Sequence, residues 1–322
     1  MDQAKISTTE VVHDVFPYLV EYKDGRIERL AGTNQISPGF DPITKVNSKD
    51  VILIQKIGLS ARLYLPSNET TSNEKLPIVM YFHGGAFIIA SSAEPLYHNF
   101  CNNLARSANA LVVSVDYRRA PEFPLPIAFD DGWAAVQWVA AHASGNGPEN
   151  WLNKQVDFNK VFLIGDSAGA TMAHHLAPEV VEHLSPFKIC GISLIHPYFW
   201  SSKPIGFERF DPVRRDLVNK WWEYVCPSDK GSDDPLINPF ADGAPSFDQV
   251  KCEKMIVLVA GKDILRDRGR LYYEAMLKHR NVEYFETLGE DHVFYLFNHQ
   301  SEKAKVIMSK LASFINNQER CN

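Results

Sequence analysis

A chain of 322 residues with 45% hydrophobic content can bury one large core, or two smaller ones. Its formal net charge of -6, with no run of Lys or Arg, argues against nucleic acid or an anionic membrane surface as partner. Five cysteines without a C-x-x-C pair, and a polar Met1–Glu10 with no apolar h-region, predict free thiols in a reducing cytoplasm. The sequon Asn68-Glu69-Thr70 is then unused, and no stretch is long and apolar enough to span a bilayer.

In chain order, Tyr18-Leu19-Val20-Glu21-Tyr22 and Arg26-Ile27-Glu28-Arg29-Leu30 flank the turn dipeptide Asp24-Gly25 and predict a hairpin. A Pro/Asp/Asn-rich loop runs to about Lys49. Val51–Ile57 and Ala61–Pro66 read as strands joined by Gly58, and the polar run Ser67–Lys75 reads as a surface loop. From there strands alternate with helices. The strands are Ile78–Phe82, Leu111–Asp116, Val161–Ile164, Ile189–Ile195, Met255–Ala260 and Val282–Glu286. The helices are Tyr97–Ala108, Ile127–Ala143, Ala168–Leu184, Arg268–Arg280 and Ser301–Asn316. Near-continuous apolar strands between helices predict an α/β class: a mostly parallel central sheet covered by helices on both faces.

One segment interrupts the alternation. Residues 199–247 show no strand, crowd aromatics with prolines, and carry a helical period over Arg214–Val225. Pockets are lined mostly by apolar and aromatic side chains, so this insertion is expected to form a lid with residues 1–40. An ordinary surface helix docking its aromatics on the core is the alternative.

Chemistry gathers at the strand ends. Gly165-Asp166-Ser167-Ala168-Gly169 is a G-x-S-x-G nucleophile elbow after an apolar strand and before a helix, the context that motif requires. His83-Gly84-Gly85-Ala86 ends an earlier strand, where backbone N–H groups can meet a developing oxyanion. Gly261-Lys262-Asp263 ends another strand, and Gly289-Glu290-Asp291-His292 follows the last. Serine, acid and histidine thus come in the order this site needs. Ser167 is the expected nucleophile, His292 the base and then the acid, and Asp263 the group that orients the imidazole. Asp267 and Asp291 are the rival acids, one in a helix start and the other adjacent to His292. His174 and His175 lie too close along the elbow helix to reach back over Ser167, and His83 is expected to brace its own loop. Gly85, Ala86 and Ala168 are the expected oxyanion donors, with Gly84 permitting the turn.

The motifs His83-Gly84-Gly85-Ala86-Phe87, Asp116-Tyr117-Arg118-Arg119-Ala120-Pro121-Glu122, Gly165-Asp166-Ser167-Ala168-Gly169 and Gly289-Glu290-Asp291-His292 resemble the plant carboxylesterases of the hormone-sensitive-lipase group. The resemblance spans nearly the whole chain. It implies one α/β-hydrolase domain over residues 1–322, with lid elements at 1–40 and 199–247. Ala86 stands where a third glycine is usual, and Arg119 where a leucine is usual. The resemblance implies a serine carboxylesterase acting on small carboxylic esters in plant specialised metabolism, as monomer or homodimer, with neither cofactor nor metal. Relatives that run eliminations or cyclisations keep a lyase open, and a receptor on the same scaffold is a further alternative. Phe87, Trp200, Phe210, Trp221, Trp222 and Val293 are the expected substrate contacts. Trp221 and Trp222 diverge by about 100° on a helix, so at most one should line the pocket. Asp130-Asp131 and Asp233-Asp234 have no histidine at ligand spacing and read as solvated or capping carboxylates.

Overall fold

A computed structural model describes residues 10–67, 74–184 and 187–317. Residues 1–9 of the expected N-terminal lid element, most of the expected loop after Ser67 with its sequon, and Cys321 lie outside them. A small antiparallel sheet is built from β1 (Val11–Val15), β2 (Leu19–Tyr22) and β3 (Ile27–Arg29). The main sheet comprises β4 (Phe40–Asp41), β5 (Val46–Ile54), β6 (Leu59–Pro66), β7 (Leu76–Phe82), β8 (Leu111–Asp116), β9 (Val156–Asp166), β10 (Ile189–Ile195), β11 (Lys254–Ala260) and β12 (Val282–Thr287). The helices are α1 (Pro95–Ala108), α2 (Ile127–Ala140), α3 (Asn150–Gln155), α4 (Ala168–His183), α5 (Pro212–Val225), α6 (Arg266–Met276), α7 (Phe294–Phe297) and α8 (Glu302–Asn316).

The nine strands order as β12-β11-β10-β9-β7-β8-β6-β5-β4. From β12 to β8 every pairing is parallel; β6, β5 and β4 run antiparallel at one edge. Alternation of side chains along the parallel strands divides the core in two. Ile78, Met80, Phe82, Leu163 and Val257 face the layer that holds α2, α4 and α6. Val79, Tyr81, Phe162, Ile164 and Leu258 face α1 and α8. Both faces are dry, which is why these strands read as unbroken apolar runs.

This topology places the site. Ser167 follows β9, Asp263 follows β11 and the His292 loop follows β12, all at carboxyl ends of the parallel strands. The His83–Phe87 loop follows β7, hydrogen-bonded neighbour of β9. The crevice at the carboxyl edge of such a sheet is where ligands bind.

Several bounds differ from expectation. The second edge strand runs Val46–Ile54, and 55–57 form a 3-10 turn closed by Gly58 in the left-handed conformation. Asn47, Ser48, Lys49 and Asp50 read as loop because an edge strand tolerates polar side chains. The strand entering the elbow starts at Val156 after the short α3, neither of which leaves a periodic signal. The last turn of the helix expected over Ile127–Ala143 is 3-10 from Ala141, and the helix expected over Arg268–Arg280 runs Arg266–Met276. Helix α4 carries Pro178 inside its span.

Candidate active site

The elbow is a steric construction. Ser167 sits at φ 52° and ψ -118°, a sparsely populated conformation for a non-glycine residue. A Cβ at Gly165 would lie 2.2 Å from the Gly169 carbonyl oxygen, and one at Gly169 would lie 1.9 Å from the Phe82 oxygen. Only glycine lets strand, turn and helix close this tightly. The backbone is pinned from outside: the Ser167 N–H donates to the Ile195 carbonyl at 2.9 Å, and the Tyr198 N–H donates to the Ser167 carbonyl at 3.1 Å.

His292 bridges the other two groups. Its Nε2 lies 2.9 Å from Ser167 Oγ, and its Nδ1 lies 2.6 Å from Asp263 Oδ2. Asp263 is buried, and its second oxygen accepts the Leu265 N–H at 2.9 Å. Burial pushes the Asp263 carboxyl up, but the charge and hydrogen bond of His292 outweigh it and hold the group below its ordinary value. Burial likewise disfavours the His292 imidazolium; the Asp263 carboxylate, helped by Asp166 and Asp291, reverses this and raises the His292 pKa above 6.5. The rival acids are occupied elsewhere. Asp267 accepts from Arg266 and from the Phe207 N–H at 2.7 Å. Asp291 is exposed, faces Arg214 at 3.4 Å, and accepts the His292 backbone N–H at 2.8 Å. His174 is bonded to the Tyr272 hydroxyl inside the core, and the half-buried His175 to the Leu236 carbonyl.

The loop after β7 is strained in sequence: Gly85, Ala86 and Phe87 have φ of 103°, 53° and 63°. A Cβ at Gly85 would lie 2.5 Å from the Ile89 oxygen. The Gly84 N–H is already engaged, donating to Asp166 Oδ1 at 3.1 Å and to the Tyr97 hydroxyl at 3.0 Å. Gly84, counted in the oxyanion loop for its turn, thus has no N–H to spare for an oxyanion, and its small size makes room for Asp166, whose Oδ2 would lie 2.6 Å from a Cβ there. Asp166 is wholly buried and also accepts from the Tyr81 and Tyr97 hydroxyls. Burial raises its pKa to about 6 even against those bonds. It joins the elbow to the neighbouring loop, a role that its place in the motif did not disclose.

A cavity of about 300 Å³ opens above Ser167, lined by Tyr18, Ala86, Tyr198, Arg214, Val218, Trp221, Ile264, Leu265 and Asp291 as well as Asp263 and His292. Its roof is α5 and the small sheet: the Trp221 ring lies 4.9 Å from that of Tyr18, and its Nε1 donates to the Phe16 carbonyl at 2.8 Å. Residues 79–296 match the family described as alpha/beta hydrolase fold. The chain belongs to that family. A probable carboxylesterase 2 from Arabidopsis thaliana is 47% identical over 96% of this chain and 98% of its own length. A 2-hydroxyisoflavanone dehydratase from Glycyrrhiza echinata is 41% identical over 96% of this chain and 97% of its own. Among solved structures, an esterase of the archaeon Pyrobaculum calidifontis superposes with a TM-score of 0.69 at 28% identity, covering 84% of this chain and 85% of that one. These relatives put the chain with the plant carboxylesterases, as its motifs imply.

Of the six side chains expected to contact substrate, Trp221 lines the cavity. Trp222, next to it, is fully buried and donates to the Gly231 carbonyl. Trp200 is buried against Asn219, and Phe87 packs on Tyr117, Phe129 and Trp222. Phe210 is 80% exposed, and Val293 sits beyond His292 among apolar neighbours. Aromatic residue type says that a side chain seeks burial, not which cavity it faces. The lining residues that sequence reasoning missed come from α5, from the hairpin, from Tyr198 after β10, and from Ile264-Leu265 beside Asp263, the last being foreseeable from adjacency alone. Asp131, expected to be solvated or capping, is instead buried and paired with the Arg118 guanidinium, while Asp233 bonds to Ser202 and Asn238. His196, Asp263 and His292 bring three ligand atoms within 4.8 Å. Within that group His292 Nδ1 and Asp263 Oδ2 are hydrogen-bonded to each other. Among the described residues no helix is long and apolar enough to cross a membrane.

Proposed function

We propose that this protein is a serine carboxylesterase that hydrolyses small carboxylic esters through an acyl-enzyme. The chain of hydrogen bonds from Asp263 through His292 to Ser167, opening on a cavity, carries this reading. Ser167 Oγ attacks the ester carbonyl carbon while His292 Nε2 takes its proton. The N–H groups of Gly85, Ala86 and Ala168 receive the oxyanion, which their place at the strained loop and at the first turn of α4 supports. The intermediate collapses, the alkoxide leaves with the proton from His292, and a water deprotonated by His292 then releases the acid and restores the serine. The cavity volume falls at the lower end of the roughly 300–1,000 Å³ usual for small-molecule sites, which favours short or compact esters. A place in plant specialised metabolism rests on the family resemblance, and the buried thiols of Cys101 and Cys226 support a reducing compartment such as the cytoplasm.

A series of p-nitrophenyl esters of rising chain length tests the reading. Since neutral imidazole is the base, kcat/KM should rise with pH through the His292 ionisation. The midpoint should lie above the ordinary histidine value, because the net shift of His292 is upward. A flat profile across that range would remove His292 from the base role.

The lining supports control of substrate choice by α5. Trp221→Ala should change kcat/KM for bulky aromatic esters by roughly 10- to 200-fold and leave acetyl esters far less affected. Trp222→Ala should instead lower stability by about 3–5 kcal/mol through a core cavity, read by denaturant unfolding. Equal losses for all esters with Trp221→Ala would make that tryptophan a support of the fold alone.

The relative named a dehydratase supports a second reading, elimination in the same cavity without a covalent step. Full turnover of a native substrate by Ser167→Ala would select it.

A further inference from the structure

We propose that His196 is a positioning residue for the base: a neutral imidazole, held in one tautomer, whose Nδ1 accepts the Val293 N–H and so sets the direction of His292. The proposal rests on the reading of His292 as the base.

His196 stands just past β10, where three parts of the site meet. Its N–H donates to the Leu258 carbonyl of β11 at 2.8 Å, and the carbonyl before it, that of Ile195, accepts the nucleophile's N–H. It is a non-glycine residue at φ 47°. The ring is buried between Phe294 and Tyr295, with its centroid 5.8 Å from that of His292. Nδ1 lies 2.8 Å from the Val293 nitrogen.

Val293 explains why that bond matters. It is β-branched and sits at φ 45°, the left-handed region such residues avoid. A conformation of that kind is costly and persists where neighbours impose it. It is also the residue immediately after His292, so its peptide orientation fixes where the His292 side chain starts. The His196 bond is the contact that holds this peptide from the sheet side.

The chemistry of the bond fixes the tautomer. A backbone N–H needs an acceptor, so Nδ1 carries no proton and the ring proton is on Nε2. Burial lowers the His196 pKa to about 3, so the ring stays neutral wherever the base works. A cation here would oppose the imidazolium that His292 becomes, so neutrality serves the reaction as well as the bond.

Three variants and one spectrum of the wild type test this. His196→Leu removes the acceptor while keeping apolar bulk. Its kcat on p-nitrophenyl acetate should fall by about 10- to 100-fold with KM little changed, since misplacing a reacting group acts on kcat. His196→Asn puts an amide oxygen near the Nδ1 position and should restore kcat to near wild type. Equal losses in Leu and Asn variants, or full activity with Leu, would overturn the proposal. Should the Leu variant fail to fold, nitrogen NMR of wild-type His196 decides: an unprotonated Nδ1 at every pH of activity is expected, and a protonated Nδ1 would refute it. Ser167→Ala, assayed alongside, keeps the two readings apart: failure of the esterase reading shows there, and leaves the His196 tautomer unchanged.

Discussion

Ser167→Ala is expected to lower kcat for a short p-nitrophenyl ester by about a million-fold, the loss that follows removal of the nucleophile from such a triad. The fold should survive. The Ser167 hydroxyl contacts His292 Nε2, and the elbow is held by other means: the close approaches at Gly165 and Gly169, and the backbone bonds to Ile195 and Tyr198. Alanine takes the same left-handed backbone at no further steric cost, so stability should change by about 1 kcal/mol at most, the worth of one hydrogen bond. Circular dichroism and denaturant unfolding check the second half of the expectation, and steady-state kinetics the first. A folded variant with near wild-type turnover would exclude the acyl-enzyme.

The parts of this site that could be read from the chain are those where chemistry forces residue type. Parallel strands buried on both faces must be apolar throughout, so β7 to β11 stand out as runs such as Met255–Ala260. An elbow this tight must have Gly165 and Gly169, so the position of Ser167 announces itself. Asp263 was separable from Asp267 by strand end against helix start, and the bonds of Asp267 to Arg266 and Phe207 give the physical reason. What stayed hidden depends on contacts between distant segments. The Gly84 N–H is consumed by Asp166, 82 positions away, and by Tyr97. Tyr18 reaches the cavity from the hairpin and Arg214 from α5, although neither segment carries a motif. Trp200, Trp222 and Phe87 have the composition of a pocket lining and the positions of a core. His196 lies in a strand end that reads as apolar packing until Val293 is seen against it.

Asp263→Asn is expected to lower kcat by about four orders of magnitude while leaving the backbone in place. The carboxylate accepts from two donors, His292 Nδ1 and the Leu265 N–H. An amide can keep the Leu265 bond through its oxygen, and its nitrogen then faces Nδ1 as a donor. The imidazole must answer with an unprotonated Nδ1, which moves its proton to Nε2. That nitrogen then points a hydrogen at Ser167 Oγ and cannot take the serine proton. The charge that stabilises the imidazolium is lost in the same substitution, so the His292 pKa should fall as the Asp263 contribution disappears. Asp291→Asn provides the contrast. Asp291 is exposed and only one of several carboxylates acting on His292, so its removal should lower the His292 pKa slightly and kcat by less than about tenfold. Kinetics of both variants across the pH range decide between the two carboxylates. Greater damage from Asp291→Asn would mean that the 2.6 Å contact of Asp263 with Nδ1 is not the one that orients the base.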